Sequence, residues 1–307
     1  DRTKQQSMGD VLVFLPGERE IRNVMRVLSA DLTQDIAIHP LFGALDFKEQ
    51  HLAIAPPQKG RKVVLATSIA ETSLTIEGIT AVVDSGLARR AIHHPGTGMS
   101  RLITTKASKA EATQRMGRAG RLSEGWCFKY WSRAEEGQMP KYALAEIERA
   151  DLTTFALDLA QWGTNEHDLA LLTQPNPATL EDARAVLKML GALDETERIT
   201  DHGRALSRVP AHPRIAHMIT SAGHNATLPA ALFSERDILQ KSGQSDFTKR
   251  IQAIVDDDLN VPEPTRNRIK SEAKRLTRFT GQNDPRYSVA QMLALAFPDR
   301  IGARRSG

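Results

Sequence analysis

Eight consecutive residues, Gln114-Arg115-Met116-Gly117-Arg118-Ala119-Gly120-Arg121, hold the densest chemistry in this chain of 307 residues. Residues 107–112 before them are polar and rich in alanine, a composition that suits a helix. If the helix continues, Gln114, Arg118 and Arg121 fall at i, i+4 and i+7 on one face, with Arg115 turned about a quarter of the way round. One amide and two guanidiniums on a single face make a clamp for anionic oxygens, because arginine presents fixed, bidentate donors that stay charged at physiological pH. Gly117 and Gly120 leave room for a backbone or a phosphate to come close, at some loss of helix propensity. A lone R-x-x-R is usually the solvated end of a basic helix. Two arginines with Gln114 and two glycines point instead to a clamp for anionic oxygens.

The segments that must position this stretch alternate in character. Residues 11–15 are a short apolar run ended by Pro16-Gly17, and read as a buried parallel strand. In residues 18–28, Ile21, Val24, Met25 and Leu28 follow the helical period. Further strands are expected at 36–39, 62–66 and 80–83, ended by Pro40, by Thr67-Ser68 and by Asp84-Ser85-Gly86. Such alternation predicts an α/β domain with a parallel sheet, whose ligands bind at the carboxyl ends of the strands. Residues 87–104 read as a β-hairpin turning at Pro95-Gly96-Thr97-Gly98, and 125–130 as the closing strand.

The composition shifts near residues 135–140, a linker. Residues 146–162 are expected to be one helix. Another follows with Thr179 as N-cap and Asp182 at N3, an apolar stripe of Ala183, Val186, Leu187 and Leu190, and Gly191 at C′. A tight turn over 195–198 then suggests a winged-helix unit across 141–207. The remainder reads as helical, through 228–239 and 266–278, with Val289, Met292, Leu293 and Ala296 as core. The expected fold class is α/β plus α, with domains at 1–136, 137–207 and 208–307.

Lysine and arginine number 41 against 37 acidic residues, a net charge of only +4, and it is the clustering of the basic residues that points mildly toward nucleic acid. The single Cys127 excludes an internal disulfide framework and fits a reducing cytosol. No apolar run is long enough to span a bilayer, and no signal peptide opens the chain. The 9 histidines lack metal-ligand spacing, so no metal site is expected. Arg266, Arg268, Lys270, Lys274, Arg275 and Arg278 face only Glu272 in one helical segment. That run is either a solvated face or a surface for a phosphate backbone.

The stretch from Gln114 to Arg121 resembles the sixth motif of superfamily 2 helicases in the form typical of the DEAH-box family. Residues 66–78, Ala-Thr-Ser-Ile-Ala-Glu-Thr-Ser-Leu-Thr-Ile-Glu-Gly, resemble motif V, and residues 12–17, 40–45 and 83–86 resemble motif IV, a nucleic-acid-contacting segment and motif Va. Residues 190–194 and 199–204 are similar to the winged helix, and residues 209–214 to the entry of the ratchet domain. Residues 232–237 are similar to the bacterial HrpB-like branch.

The resemblance implies a second RecA-like lobe followed by winged-helix and helical ratchet domains. It implies that Gln114 approaches the γ-phosphate or the attacking water, that Arg118 and Arg121 are arginine fingers, and that Thr75, Glu77 and Gly117 border ATP. It implies backbone contacts to single-stranded nucleic acid, RNA more than DNA, from Gly17, Gly43, Thr67, Ser68 and Arg275. Ser68 stands where relatives often carry Asn, Glu77 where they often carry Asp, and Ile54 where many eukaryotic relatives place an aromatic against adenine. Neither G-x-x-x-x-G-K-[ST] nor DEAH occurs, so Mg²⁺ and the β- and γ-phosphates would have no holder.

The chain therefore resembles a C-terminal portion of a longer, monomeric, cytoplasmic ATP-dependent helicase, inactive without its first RecA-like lobe. A different class, a self-sufficient nucleic-acid-binding or docking module, has no need of Gln114, Arg118 and Arg121 on one face. If the finger assignment holds, both guanidiniums should be solvent-accessible on the edge that carries Thr75 and Glu77.

Overall fold

The computed structural model describes residues 9–31, 35–57, 59–72, 74–94, 99–119, 121, 124–239, 243–281 and 287–302. The expected hairpin turn at 95–98, Ser73 of the motif V stretch and Gly120 lie outside the described residues. The chain divides into two compact units between Ala150 and Asp151.

In the first unit the elements run β1 (Asp10–Phe14), α1 (Glu18–Asp31), β2 (Ile36–Leu41), α2 (Phe47–Ile54), β3 (Arg61–Ala66), β4 (Ile79–Asp84), β5 (Leu87–His94), β6 (Met99–Lys106), α3 (Lys109–Met116) and β7 (Trp126–Lys129). The sheet order is β2-β3-β1-β4-β7, and every pairing in it is parallel. The apolar runs of the sequence are these strands, covered on both faces as a parallel sheet requires. Alternation along each strand divides the core. Leu12, Phe14, Val64 and Val82 pack with Ala53, Ala70 and Ala119 on one face. Val13 and Val63 pack with Ile21, Val24 and Leu28 of α1 on the other.

Two buried cations tie the lobe together. Lys62, 1% exposed, donates from Nζ to the carbonyls of Ala53 (2.9 Å), Ile54 (3.2 Å) and Ala55 (2.6 Å), closing the last turn of α2. Burial lowers its pKa, and the charge of Asp10 works against that. The second, Arg115, belongs to the site described below. The β5–β6 hairpin stands apart as its own antiparallel pair, in register from Leu87↔Lys106 to His94↔Met99. Arg90 anchors it through Glu111 Oε2 at 2.6 Å, the same carboxylate that closes the Ser108 capping box of α3.

Past β7 the first unit ends with two short helices, α4 (Arg133–Gln138) and α5 (Glu146–Arg149). The single helix expected over 146–162 is in fact α5 and, in the second unit, α6 (Thr153–Trp162). Asp151 separates them: its Oδ1 accepts from Thr153 N (2.8 Å) and Thr153 Oγ1 (2.5 Å), so a side chain begins the new helix.

The second unit continues with α7 (Pro177–Met189), α8 (Asp201–Ser207), α9 (Pro213–Ala222), α10 (Thr227–Phe233), α11 (Phe247–Val255), α12 (Glu263–Leu276) and α13 (Val289–Ala296). The N-cap of α7 is Asn176, not Thr179. Asn176 accepts from Ala178 N and Thr179 N, Pro177 takes the first helical position, and Thr179 is buried. Gly191 does end the helix, at φ +68°. A one-bridge hairpin, Leu193↔Ile199, follows around Asp194, whose Oδ1 accepts from Thr196 N, Thr196 Oγ1 and Arg198 N. α10 stops at Phe233, short of 239, because Glu235 and Asp237 turn away to pair with Arg268 and Arg250. Of the expected apolar stripe in α13, Met292 and Ala296 are buried, and Val289 and Leu293 are half-buried.

Candidate functional site

Residues 67–78 leave the carboxyl end of β3, form a 3₁₀ turn at Ser68–Ala70, and return to the amino end of β4. There the Gly78 carbonyl accepts from Asp10 N, at the start of β1, at 2.9 Å. One segment therefore serves two opposite edges of the sheet, and only one of them is the carboxyl edge expected from the strand pattern.

At the carboxyl edge, Gly43 is exposed and nothing lies within 4 Å of where its Cβ would be. Thr67 heads the 3₁₀ turn without a side-chain cap bond, and Ser68 is exposed. Gly17 is different: it is buried, and a Cβ there would meet Arg89 Nη1 at 2.7 Å and Glu20 Oε2 at 3.0 Å. The backbone contact expected of Gly17 is thus covered. What that corner presents is the Arg89 guanidinium, 3.9 Å from Glu20.

The stretch from Gln114 to Arg121 is not one helical face. α3 ends at Met116 with Gly117 as C-cap, and three guanidiniums then take three different environments. Arg115 is 1% exposed. Its Nε and Nη2 reach Glu71 Oε1 at 2.7 and 2.6 Å, and its Nη1 reaches Asp84 Oδ1 at 2.8 Å and the Leu87 carbonyl at 3.1 Å. Its Cζ lies 5.2 Å from the centroid of the Phe14 ring. Burial would depress its pKa, but Asp84 and Glu71 raise it, so it remains a cation.

Arg118 is also buried, 6% exposed. Its Nε donates to the Glu71 carbonyl at 2.8 Å, where Nη2 also points, and its Nη1 donates to the Leu74 carbonyl at 2.8 Å. Burial, then the charge of Arg121, lowers its pKa. The expectation that both Arg118 and Arg121 are solvent-accessible fails for Arg118, because its planar fork satisfies carbonyls of a turn that has no sheet partner for them. Arg121 meets the expectation: it is exposed, and its Nη1 lies 3.2 Å from Thr75 Oγ1. Glu77 is exposed on the same segment, and Gln114 and Gly117 are exposed at the end of α3. Ile54, whose carbonyl Lys62 holds, lies toward this same amino edge.

Sequence reasoning missed Arg115, Glu71 and Asp84. A usable signal existed: an arginine flanked by Ala112 and Ala119 on an inward face needs carboxylates, and Asp84 ends β4 while Glu71 closes the 3₁₀ turn that follows β3. In α12 the basic run is largely answered from within the unit. Arg268 pairs with Glu235, Lys270 with Asp257, Arg275 with Glu272, and Arg266 with the carbonyls of Asp258 and Val261. Arg275 is exposed, and such i,i+3 pairs are weak enough for a phosphate to displace.

A sequence profile for the helicase conserved C-terminal domain matches residues 2–123. ATP-dependent RNA helicase HrpB of Escherichia coli (strain K12) is 39% identical over 305 residues, 98% of this chain. This chain corresponds to the C-terminal region of the DEAH/RHA helicases. Two crystal structures of E. coli HrpB, one described as a DExH-box NTPase and the other as a DEAH/RHA helicase, are each 36% identical to this chain. They superpose with TM-scores of 0.86 and 0.85 over 99% of it. ATP-dependent RNA helicase HrpA of E. coli (strain K12) is 35% identical over 76% of the chain. The chain spans 37% of HrpB and 18% of HrpA.

Proposed function

We propose that this chain supplies the second RecA-like lobe (1–136), a linker and winged-helix unit (137–207) and a helical ratchet-type domain (208–307) to a monomeric ATP-dependent helicase that moves along single-stranded nucleic acid. The observation that carries this reading is the two-edged course of residues 67–78. Thr67 and Ser68 stand at the carboxyl edge beside Gly43, while Thr75 meets Arg121 at the amino edge. A module that only bound nucleic acid would not need the second edge. RNA is favoured over DNA because HrpB and HrpA are both ATP-dependent RNA helicases by name.

The residues present fit one side of a nucleotide. Gln114, Arg121 and Thr75 offer exposed donors, Glu77 an exposed carboxylate, and Gly117 an open approach. Among the described residues no group of three or more His, Cys, Asp or Glu could hold a metal ion. We assign the Mg²⁺ and the inner phosphates to the first RecA-like lobe of the same protein, because the G-x-x-x-x-G-K-[ST] pattern that holds them in such lobes does not occur in this sequence. When bound, ATP supplies the phosphoanhydride whose hydrolysis drives movement. On this chain, Arg121 neutralises charge on phosphoryl oxygens and Gln114 orients a water. Arg118 holds the turn that carries Thr75. To act as a finger it must give up the Glu71 and Leu74 carbonyls.

The experiment is ATP hydrolysis by the intact protein, with and without a single-stranded oligouridylate. Stimulated hydrolysis that Arg121→Ala abolishes supports the reading. Full stimulated activity in Arg121→Ala refutes it.

A further inference from the structure

Glu71 faces three partners through three different groups. Its N–H donates to the Ser68 carbonyl at 2.9 Å, closing the turn headed by Thr67. Its carboxylate takes Arg115, and its own carbonyl takes Arg118. The two-edge reading and the finger assignment give its carboxylate no role. We propose that Glu71 is a positioning residue that couples the nucleic-acid edge to the Arg118 guanidinium, so that a strand seated on Thr67 and Ser68 moves Arg118 between its docked place and the nucleotide side.

The inference rests on the helicase reading above. The geometry makes Glu71 a pivot rather than a link in a loose chain. Arg115 is fixed from two directions, by Asp84 Oδ1 and the Leu87 carbonyl, and Asp84 Oδ1 is itself held by Gly86 N at 2.9 Å. The carboxylate end of Glu71 is therefore anchored to the end of β4, while its main-chain end belongs to the turn that would receive phosphate. A turn that shifts about this anchor carries the Glu71 carbonyl with it. The bonds Arg118 makes to that carbonyl and to Leu74 are directional and weaken steeply with misalignment, so a small shift suffices to release the guanidinium. Released, Arg118 lies on the same segment as Arg121, the cation already exposed beside Thr75.

The test uses the intact helicase containing this chain and an oligouridylate as the probe. Glu71→Gln keeps the shape and the acceptor oxygen but removes the charge that holds Arg115. The readout is the ratio of oligouridylate-stimulated to unstimulated kcat, measured beside the KM for ATP. A purely structural role lowers both rates by one factor and leaves the ratio alone. Coupling through Glu71 lowers the ratio by about fivefold or more, the lower end of usual coupling between sites. A smaller fall overturns the proposal.

Should Glu71→Gln fail to fold, the wild type decides through hydrogen exchange at the arginine Nε groups. Oligouridylate is expected to speed exchange at Arg118 Nε and to leave Arg115 Nε protected. Unchanged exchange at Arg118 overturns the proposal. A wild-type protein with no stimulated hydrolysis at all would defeat the helicase reading, and this inference with it. Stimulation that survives Glu71→Gln defeats this inference alone.

Discussion

Arg115, Arg118 and Arg121 lie close together in the sequence, yet each leaves something different behind when removed. Arg115→Met strands two buried carboxylates, Glu71 and Asp84, and should cost the lobe about 3–5 kcal/mol. Arg118→Ala leaves the Glu71 and Leu74 carbonyls without their donors, an expected loss of about 1–3 kcal/mol. Arg121→Ala removes an exposed group and should stay within about 0.5 kcal/mol of wild type. Urea unfolding of the three variants checks the order, and equal losses at all three would contradict the assigned environments. On the proposed function, Arg121→Ala in the intact protein should lower kcat for ATP hydrolysis at least about tenfold, a share of the 10³–10⁵ typical of an arginine finger. Steady-state kinetics with little change in KM for ATP is the matching observation. The spacing of the eight residues places Gln114, Arg118 and Arg121 on one face only if the helix continues. It could not show that α3 ends at Met116 with Gly117 as its cap, or that carboxylates from residues 71 and 84 close on Arg115.

Elements were legible where one pattern dominated. The buried strands β1, β3 and β4 are short apolar runs closed by turn residues, and their ends fall within a residue or two of expectation. Boundaries went astray where a side chain competed with the local signal, as when Asn176-Pro177 outranked Thr179 and when Asp151 divided one helix into α5 and α6. α8 and α9 also carry a contact that no periodicity reveals. His202 Nε2 lies 2.7 Å from His217 Nδ1, with the rings edge to face. Burial lowers both imidazoles, and for His217 the charge of His202 adds to that, bringing it to about 4. A histidine depressed in the folded state binds fewer protons there than when unfolded. Its contribution is therefore intact above the ordinary value of about 6.5 and is lost as pH falls from there toward 4. The second unit should melt at progressively lower temperature through this window. His217→Gln should flatten that dependence, and an unchanged slope in thermal melts of the variant would count against it.

For the whole chain, two measurements follow from what it offers and what it lacks. Nucleic-acid affinity should come mainly from phosphate contacts at Gly43, Thr67, Ser68, Arg89 and α12. It should then fall with salt, with a log–log slope of roughly −0.7 per neutralised phosphate and little sequence preference. A salt-independent affinity in titrations would rule out this source. ATP hydrolysis by the 307-residue chain alone should remain at background, since the sequence carries no G-x-x-x-x-G-K-[ST]. Robust metal-dependent turnover by pure chain would show a site complete in itself. The sheet order has a separate consequence for biosynthesis. β1 is made first but lies in the middle, flanked by β3 and β4, and β7 closes the edge last. A ribosome-bound chain ending before residue 61 holds a buried strand with neither neighbour yet made, and one ending before residue 115 holds Glu71 and Asp84 without their cation. Such a lobe has little to gain from folding piecemeal during synthesis, so its nascent chains should stay open to chaperones and proteases until α3 has emerged.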